Sequence, residues 1–152
     1  MAARDNDVDG ALALLREAAA LDPLAPIMWH VSGWVAGAAG RYEEAEPYYE
    51  KALQLNPQAT NTLGNLYLMN LVMGEFEQAR IMLDRLNTLG GFFFALPITL
   101  VDALSDPSQR QPYLQMLIND ERMPEGVGGK AMIYMMLGEQ ELAMDSLEKS
   151  LE

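Results

Sequence analysis

Trp29-His-Val-Ser-Gly33-Trp34, then Gly40-Arg-Tyr42-Glu-Glu-Ala45, then Tyr49, then Ala52-Leu-Gln-Leu-Asn-Pro57 form the stretch on which the fold turns. It spells two helices and two stops. From Ile27 to Ala38 no residue carries a fixed charge, and His30 is the only titratable group. Gly40 follows, and glycine tolerates the left-handed conformation that ends a helix. From Tyr42 to Leu55, apolar or small residues recur at Tyr42, Ala45, Tyr49, Ala52 and Leu55. That i, i+3, i+4 stripe is the period of a helix with one buried face. The outer face carries Glu43, Glu44, Glu46, Glu50 and Lys51. Asn56-Pro57 closes the helix, because the residue before proline resists the helical conformation. Gly33 and Ala45 are small where two helices must approach closely. Pro47 predicts one lost backbone hydrogen bond and a local kink.

Working outward, the pattern repeats every 34 residues. Ala11 falls on Ala45 and then Ala79; Leu21 falls on Leu55 and then Leu89; Gly40 falls on Gly74, and Tyr42 on Phe76. A fixed period of this length marks stacked helix–turn–helix units. One full copy spans 26–59 and a second spans 60–93, where Tyr67 replaces the small residue and Asn70 replaces an aromatic. A last copy spans 124–152, starting near Pro124 and keeping Ala131, Tyr134, Gly138, Ala143 and Leu147. Gly74 to Gly138 is 64 residues, short of two periods, so the copy at 94–123 is shortened and degenerate. It predicts helices near Phe92–Leu104 and Pro112–Asn119, parted by Asp106-Pro107-Ser108. Residues 1–25 make half a repeat, with 8–21 as its second helix.

These residues resemble the tetratricopeptide repeat. Trp29, Gly33, Gly40, Tyr42, Ala45, Tyr49, Ala52 and Pro57 fill the places where that family has Trp, a small residue, Gly, aromatic, Ala, aromatic, Ala and Pro. The resemblance implies an all-α fold, a right-handed α-solenoid of helix-turn-helix repeats with about nine helices, as a single domain over 1–152. Solenoids normally carry polar caps at both ends, and neither end here supplies one. That suits a fragment of a larger protein, ends that pack on a partner or on a second copy, or a native start with a short first repeat. A weaker resemblance joins Met136-Leu-Gly-Glu-Gln-Glu-Leu-Ala-Met-Asp-Ser-Leu-Glu-Lys-Ser150 to the C-terminal helical region of some bacterial signalling and transcriptional regulators.

Composition narrows the function. The chain has 152 residues and a net charge of −12, with no Cys and one His. Thiolate metal sites, disulfide scaffolds and cysteine nucleophiles are out, and we expect no metal and no cofactor. Basic residues are scattered from Arg4 to Lys149, so the acidity argues against nucleic acid. The longest uncharged stretch, Ala52 to Gly74, contains Pro57, four Asn and two Gln, and does not read as a bilayer span. The N-terminus has no signal-peptide pattern. The chain reads as cytoplasmic, although missing Cys suits the periplasm equally.

In the resembled family, first helices line a concave groove and second helices form the convex back. More than half of the 22 acids lie on or at the start of second helices, among them Glu43, Glu44, Glu46, Glu50, Glu75, Glu77, Asp84, Glu139, Glu141, Asp145 and Glu148. Transferred residue by residue, the groove positions are Ile27, His30, Trp34 and Ala38, then Asn61, Gly64, Leu68 and Val72, with Asn65 beside them. Ile98 and Asp102 follow in the degenerate copy, and Gly128, Met132 and Met136 in the last. The trough is apolar and holds Trp and Met, and Met adapts to varied partner shapes. It suits a peptide or an amphipathic helix. Trp29 reads as core, Trp34 equally as groove or core, and Asn61 equally as a helix cap. The Lys/Arg clamp with which some members hold a terminal carboxylate is absent.

Other motifs fall away. Asp5-Asn-Asp-Val-Asp-Gly10 opens like a calcium loop, but its twelfth position is Arg16 where a bidentate Glu is needed. Gly126-Val-Gly-Gly-Lys130 has too short a spacing for a phosphate loop, and Ala131 follows. Pairs such as Glu43/Glu44 and Glu139/Glu141 sit on a solvated face, whereas a general acid needs burial. No catalytic constellation is visible. The chain reads as a non-catalytic interaction scaffold binding a protein or peptide. The second reading is an effector or self-association arm of a larger bacterial regulator.

Overall fold

The computed structural model describes the backbone of residues 2–90, 99–126 and 129–151, with side chains from residue 8 onward. Among the described residues there are nine helices and no strand. The all-α class follows, with helices paired as in a helix–turn–helix solenoid. The chain divides into two compact units, Met1–Gly91 and Phe92–Glu152, and each is described by itself.

The first unit holds α1 (Ala2–Leu21), α2 (Pro26–Ala38), α3 (Tyr42–Leu55), α4 (Thr60–Met73) and α5 (Phe76–Thr88). Each of α2 and α4 packs most closely on the helix that follows it, while α1 packs on α2, α3 on α4, and α2 on α4. Pro26 opens α2, where its missing N–H costs nothing. Gly40 and Gly74 have φ of 77°. Beyond them Arg41 N donates to Ala36 O at 3.0 Å and Glu75 N to Asn70 O at 2.8 Å. Those bonds satisfy carbonyls that the helix end leaves open. The sequence expectation of glycine stops is met at both places. The helix α3 continues through Pro47.

The closest approach in this unit lies between α2 and α3. A Cβ built on Gly33 would stand 2.7 Å from Tyr49 Cδ1 and 2.9 Å from Cγ. The buried Tyr49 ring therefore lies flat on the space a side chain would fill. One repeat later the bulk changes sides: the fully buried Tyr67 stands in place of Gly33, and Leu83 in place of Tyr49.

The second unit holds α6 (Leu100–Ser105), α7 (Pro107–Asn119), α8 (Lys130–Leu137) and α9 (Gln140–Lys149). A capping box starts α6, with Thr99 N donating to Asp102 Oδ2 at 3.1 Å and Asp102 N to Thr99 Oγ1 at 3.3 Å. The helix expected at Phe92–Leu104 is thus described only from Leu100. The helix expected at Pro112–Asn119 begins earlier, at Pro107, because Asp106 caps it through Ser108 N at 2.9 Å and proline fits a first turn. The expected first helix near Pro124 begins only at Lys130. Its start is replaced by a turn in which Lys130 N donates to Pro124 O at 2.9 Å. Gly129 is required there, since a Cβ would fall 1.8 Å from that carbonyl oxygen.

Ahead of and at the start of α8, Glu125 is partly buried and Lys130 is taken inward. Lys130 is only 6% exposed. Its Nζ donates to Glu125 Oε1 at 3.1 Å and to Ile118 O at 3.4 Å. Ser146 Oγ donates to Glu125 Oε2 and accepts from Gly126 N at 3.3 Å. Every charged end of this network has a partner, as burial demands.

Glycine substitutions separate close packing from simple helix propensity. Gly33→Ala should lower stability by about 1–3 kcal/mol, because the new methyl meets a ring that cannot retreat. Gly64, mid-helix in α4, has nothing within 4 Å of an added Cβ. Gly64→Ala should therefore raise stability by up to about 1 kcal/mol. Urea unfolding of both variants reads the difference; equal stabilities would discount the contact.

Candidate partner-binding face

The first helices α2 and α4 contain no Lys, Arg, Asp or Glu. Both are nonetheless incompletely buried. Ile27 is 55% exposed and Trp34 57% exposed, two turns apart on α2. That spacing puts them on one face. On α4, Val72 is 54% exposed and Leu68 half-buried. Gly64 is half-buried with open space above it, and Ala38 is exposed. Trp34 therefore resolves away from the core. Asn61 is exposed and lies inside α4; the N-cap is Ala59, and no side chain caps the helix. The cap reading of Asn61 is thereby corrected.

Two candidates are built into the seam between helices. His30 Nδ1 lies 2.9 Å from Thr62 Oγ1, which joins α2 to α4. Its ring centroid is 6.0 Å from that of Tyr49, tilted by 57°. Burial lowers the His30 pKa below its ordinary 6.5. Asn65 hydrogen-bonds the Tyr49 hydroxyl, whose pKa burial pushes up to about 12 against the opposing pull of that bond. His30 and Asn65 therefore each spend one polar contact on the seam between helices.

Trp29, expected in the core, is half-buried. Its Nε1 donates to Pro23 O at 3.1 Å, and its ring lies 6.4 Å from Tyr48. The indole braces the α1–α2 turn, because its N–H needs an acceptor that a dry core would not supply. Asp102 spends its carboxylate on the α6 cap. Ile98 and Gly128 lie outside the described residues. In the second unit, Met132 and Met136 are half-buried, while Met135 is more open than either. Met135 was missed. The buried set Ala131, Ile133, Tyr134 and Leu137 would have revealed it, since it leaves 132, 135 and 136 on the other side. Also missed were Leu14, Leu21 and Leu24, all strongly exposed on and after α1.

The acids lie elsewhere. Helices α3 and α5 carry theirs from the first turn, at Glu43, Glu44 and Glu77. Around α1, Arg16 pairs with Glu44 at 3.4 Å, and Arg41 pairs with Asp9 and with Glu44. Such solvent-facing pairs contribute little to stability. Among the described residues no three His, Asp or Glu side chains converge as a metal site would need. No described helix is long and apolar enough to cross a membrane.

Two family models match the chain, both described as tetratricopeptide repeat, one over residues 2–60 and one over residues 38–88. Together they span α1 to α5. No curated protein matches it.

His30 gives a pH signature to this face. The folded chain resists protonating it, so the unfolded chain takes up the proton first. Stability present above pH 6.5 should be lost as the pH falls through the lower folded-state value. Melting temperature followed downward from neutral pH should fall more steeply for the unaltered chain than for His30→Asn, and identical slopes would refute this.

Proposed function

The chain belongs to the tetratricopeptide repeat family, whose repeats are in general protein–protein interaction modules, and on that premise we propose that it is a non-catalytic scaffold that binds a peptide or helix along the α2–α4 face. The observation that carries the reading is Trp34. A tryptophan left 57% exposed on a helix without charges, beside Ile27 on the same face, has the character of an interface anchor. Leu68, Val72 and the open space at Gly64 continue the apolar surface on α4. The neutrality of both helices favours an apolar partner segment, because a charged one would lose hydration without gaining a counter-charge. Helical anchors at i, i+3, i+4 and i+7 fit such a surface.

Peptides selected against the chain from an unbiased library test this. They should carry spaced apolar residues. Trp34→Ala should weaken their binding by about 2 kcal/mol or more, and Leu68→Arg comparably, with circular dichroism unchanged. Peptides that bind both variants undiminished would refute the face.

The strongly exposed Leu14 and Leu21, one face of α1, and Leu24 after it favour a second reading, self-association of the chain. Sedimentation should then show a concentration-dependent dimer that Leu14→Glu with Leu21→Glu abolishes. A monomer at every concentration would exclude it.

A further inference from the structure

The helices α1, α3 and α5 share one pattern. Ala11, Leu15 and Ala18 on α1 stand 34 residues before Ala45, Tyr49 and Ala52, which stand 34 before Ala79, Leu83 and Leu86. On α3 and α5 these residues are buried. The helix in front covers them: the Tyr49 ring lies on Gly33, a Cβ on Gly37 would lie 3.8 Å from that of Ala45, and α5 packs on α4. On α1 the same three positions are each only half-buried. Leu14 and Leu21 beside them are 68% and 90% exposed. The other side of α1 is complete, with Leu12 and Ala19 buried and α2 packed against the helix.

Three features fix what this open face takes. First, the equivalent face receives a helix twice within this same unit. An extended segment laid on α1 would leave its own backbone groups unpaired, because the backbone of α1 is already bonded within the helix, whereas a helix satisfies itself. Second, the stripe from Ala11 to Leu21, about 15 Å long, offers no counter-charge, so a charged occupant would lose hydration without return. The helices that cover α3 and α5 likewise hold no Lys, Arg, Asp or Glu. Third, the residue at the crossing sets the bulk opposite it. Tyr49 is matched by Gly33, and Leu83 by the fully buried Tyr67. Leu15 has the bulk of Leu83, so a large ring belongs across from it. A second copy has no such helix to spare, since its charge-free α2 and α4 are already packed on α3 and α5.

We propose that this face of α1 is a second docking site, which takes one helix from a partner protein: an uncharged helix of the α4 kind, with an aromatic residue set against Leu15. The partner helix completes on α1 the cover that α2 gives α3 and α4 gives α5. Ala11 and Ala18 let its backbone come close, and Leu14 and Leu21 flank it. The site is independent of the α2–α4 face and does not rest on the reading given for it. It competes with self-association, because a dimer closed through Leu14 and Leu21 would occupy the same surface.

The probe is a synthetic peptide of the chain's own Ala59–Gly74, made soluble by a lysine tail and titrated into the full chain labelled with nitrogen-15. Saturable shifts should appear at the backbone amides of Ala11, Leu15 and Ala18, with a dissociation constant on the order of tens of micromolar, since ordering a short helix consumes part of the gain. Tyr67→Ala in the peptide should weaken binding about tenfold. Leu15→Lys in the chain, at a half-buried position, should abolish it, and Trp34→Ala should leave it unchanged. Leu15→Glu in the chain should recover binding to a peptide carrying Tyr67→Lys, which a merely unfolded variant could not do. Binding that survives Leu15→Lys would overturn the proposal, as would shifts centred on Ala79 and Leu83, where the peptide would have displaced α4. So would the absence of saturable shifts, or a chain that sediments as a dimer and stays one at saturating peptide.

Discussion

The first unit depends on one close approach, the flat side of the Tyr49 ring against the bare backbone of Gly33. With no Cβ in the way, α3 comes near enough to α2 for the ring to reach through to α4. There its hydroxyl meets Asn65. The same ring stands 6.0 Å from His30, which in turn meets Thr62 at 2.9 Å. A single aromatic side chain thus ties three helices. The relative placement of α2 and α4, and so of Trp34 and Val72, follows from that tie. Any residue larger than glycine at position 33 would displace the ring, and both hydrogen bonds would have to be remade.

Much of this was legible in the chain before its fold was seen. The 34-residue period, the glycine stops at Gly40 and Gly74 and the charge-free first helices are local signals, carried by residue type and spacing. Helix periodicity alone found the stripe that buries Ala45, Tyr49 and Ala52. What was less legible depended on long-range geometry. Transferring an alternation pattern put His30 and Asn65 on an open face, but a polar side chain near a seam bonds to whatever lies across it. Here that was Thr62 and Tyr49. Trp29 was assigned to the core by its size, and its N–H drew it to the Pro23 carbonyl. The delayed start of α8 arose because glycines permit a turn as readily as they permit a helix to begin.

In the first unit charge is divided unevenly between the elements. About half of the net charge of −12 sits on α1, α3, α5, α7 and α9. Helices α2 and α4 hold none. In the second unit the buried Lys130 pairs with the partly exposed Glu125, and Ser146 completes the arrangement. Burying charge is tolerable there because each polar end finds a partner. In the second unit this network joins the turn before α8 to the helix α9.

The exchange of bulk across successive repeats has an evolutionary consequence. Aligned on their helix-ending glycines, the copies place Gly33 with Tyr49, Tyr67 with Leu83, and Ala131 with Leu147 at equivalent sites. The first copy matches a glycine with a tyrosine at these sites, and the second a tyrosine with a leucine. A gene rearrangement that set a copy of α3 behind α4 would bring two tyrosine rings to a place shaped for one. The reverse shuffle, α5 behind α2, would leave a void where a ring belongs. The modules share one pattern, but any residue with a Cβ at the Gly33 site would meet the Tyr49 ring, so α2 and α3 of the first copy are matched to each other.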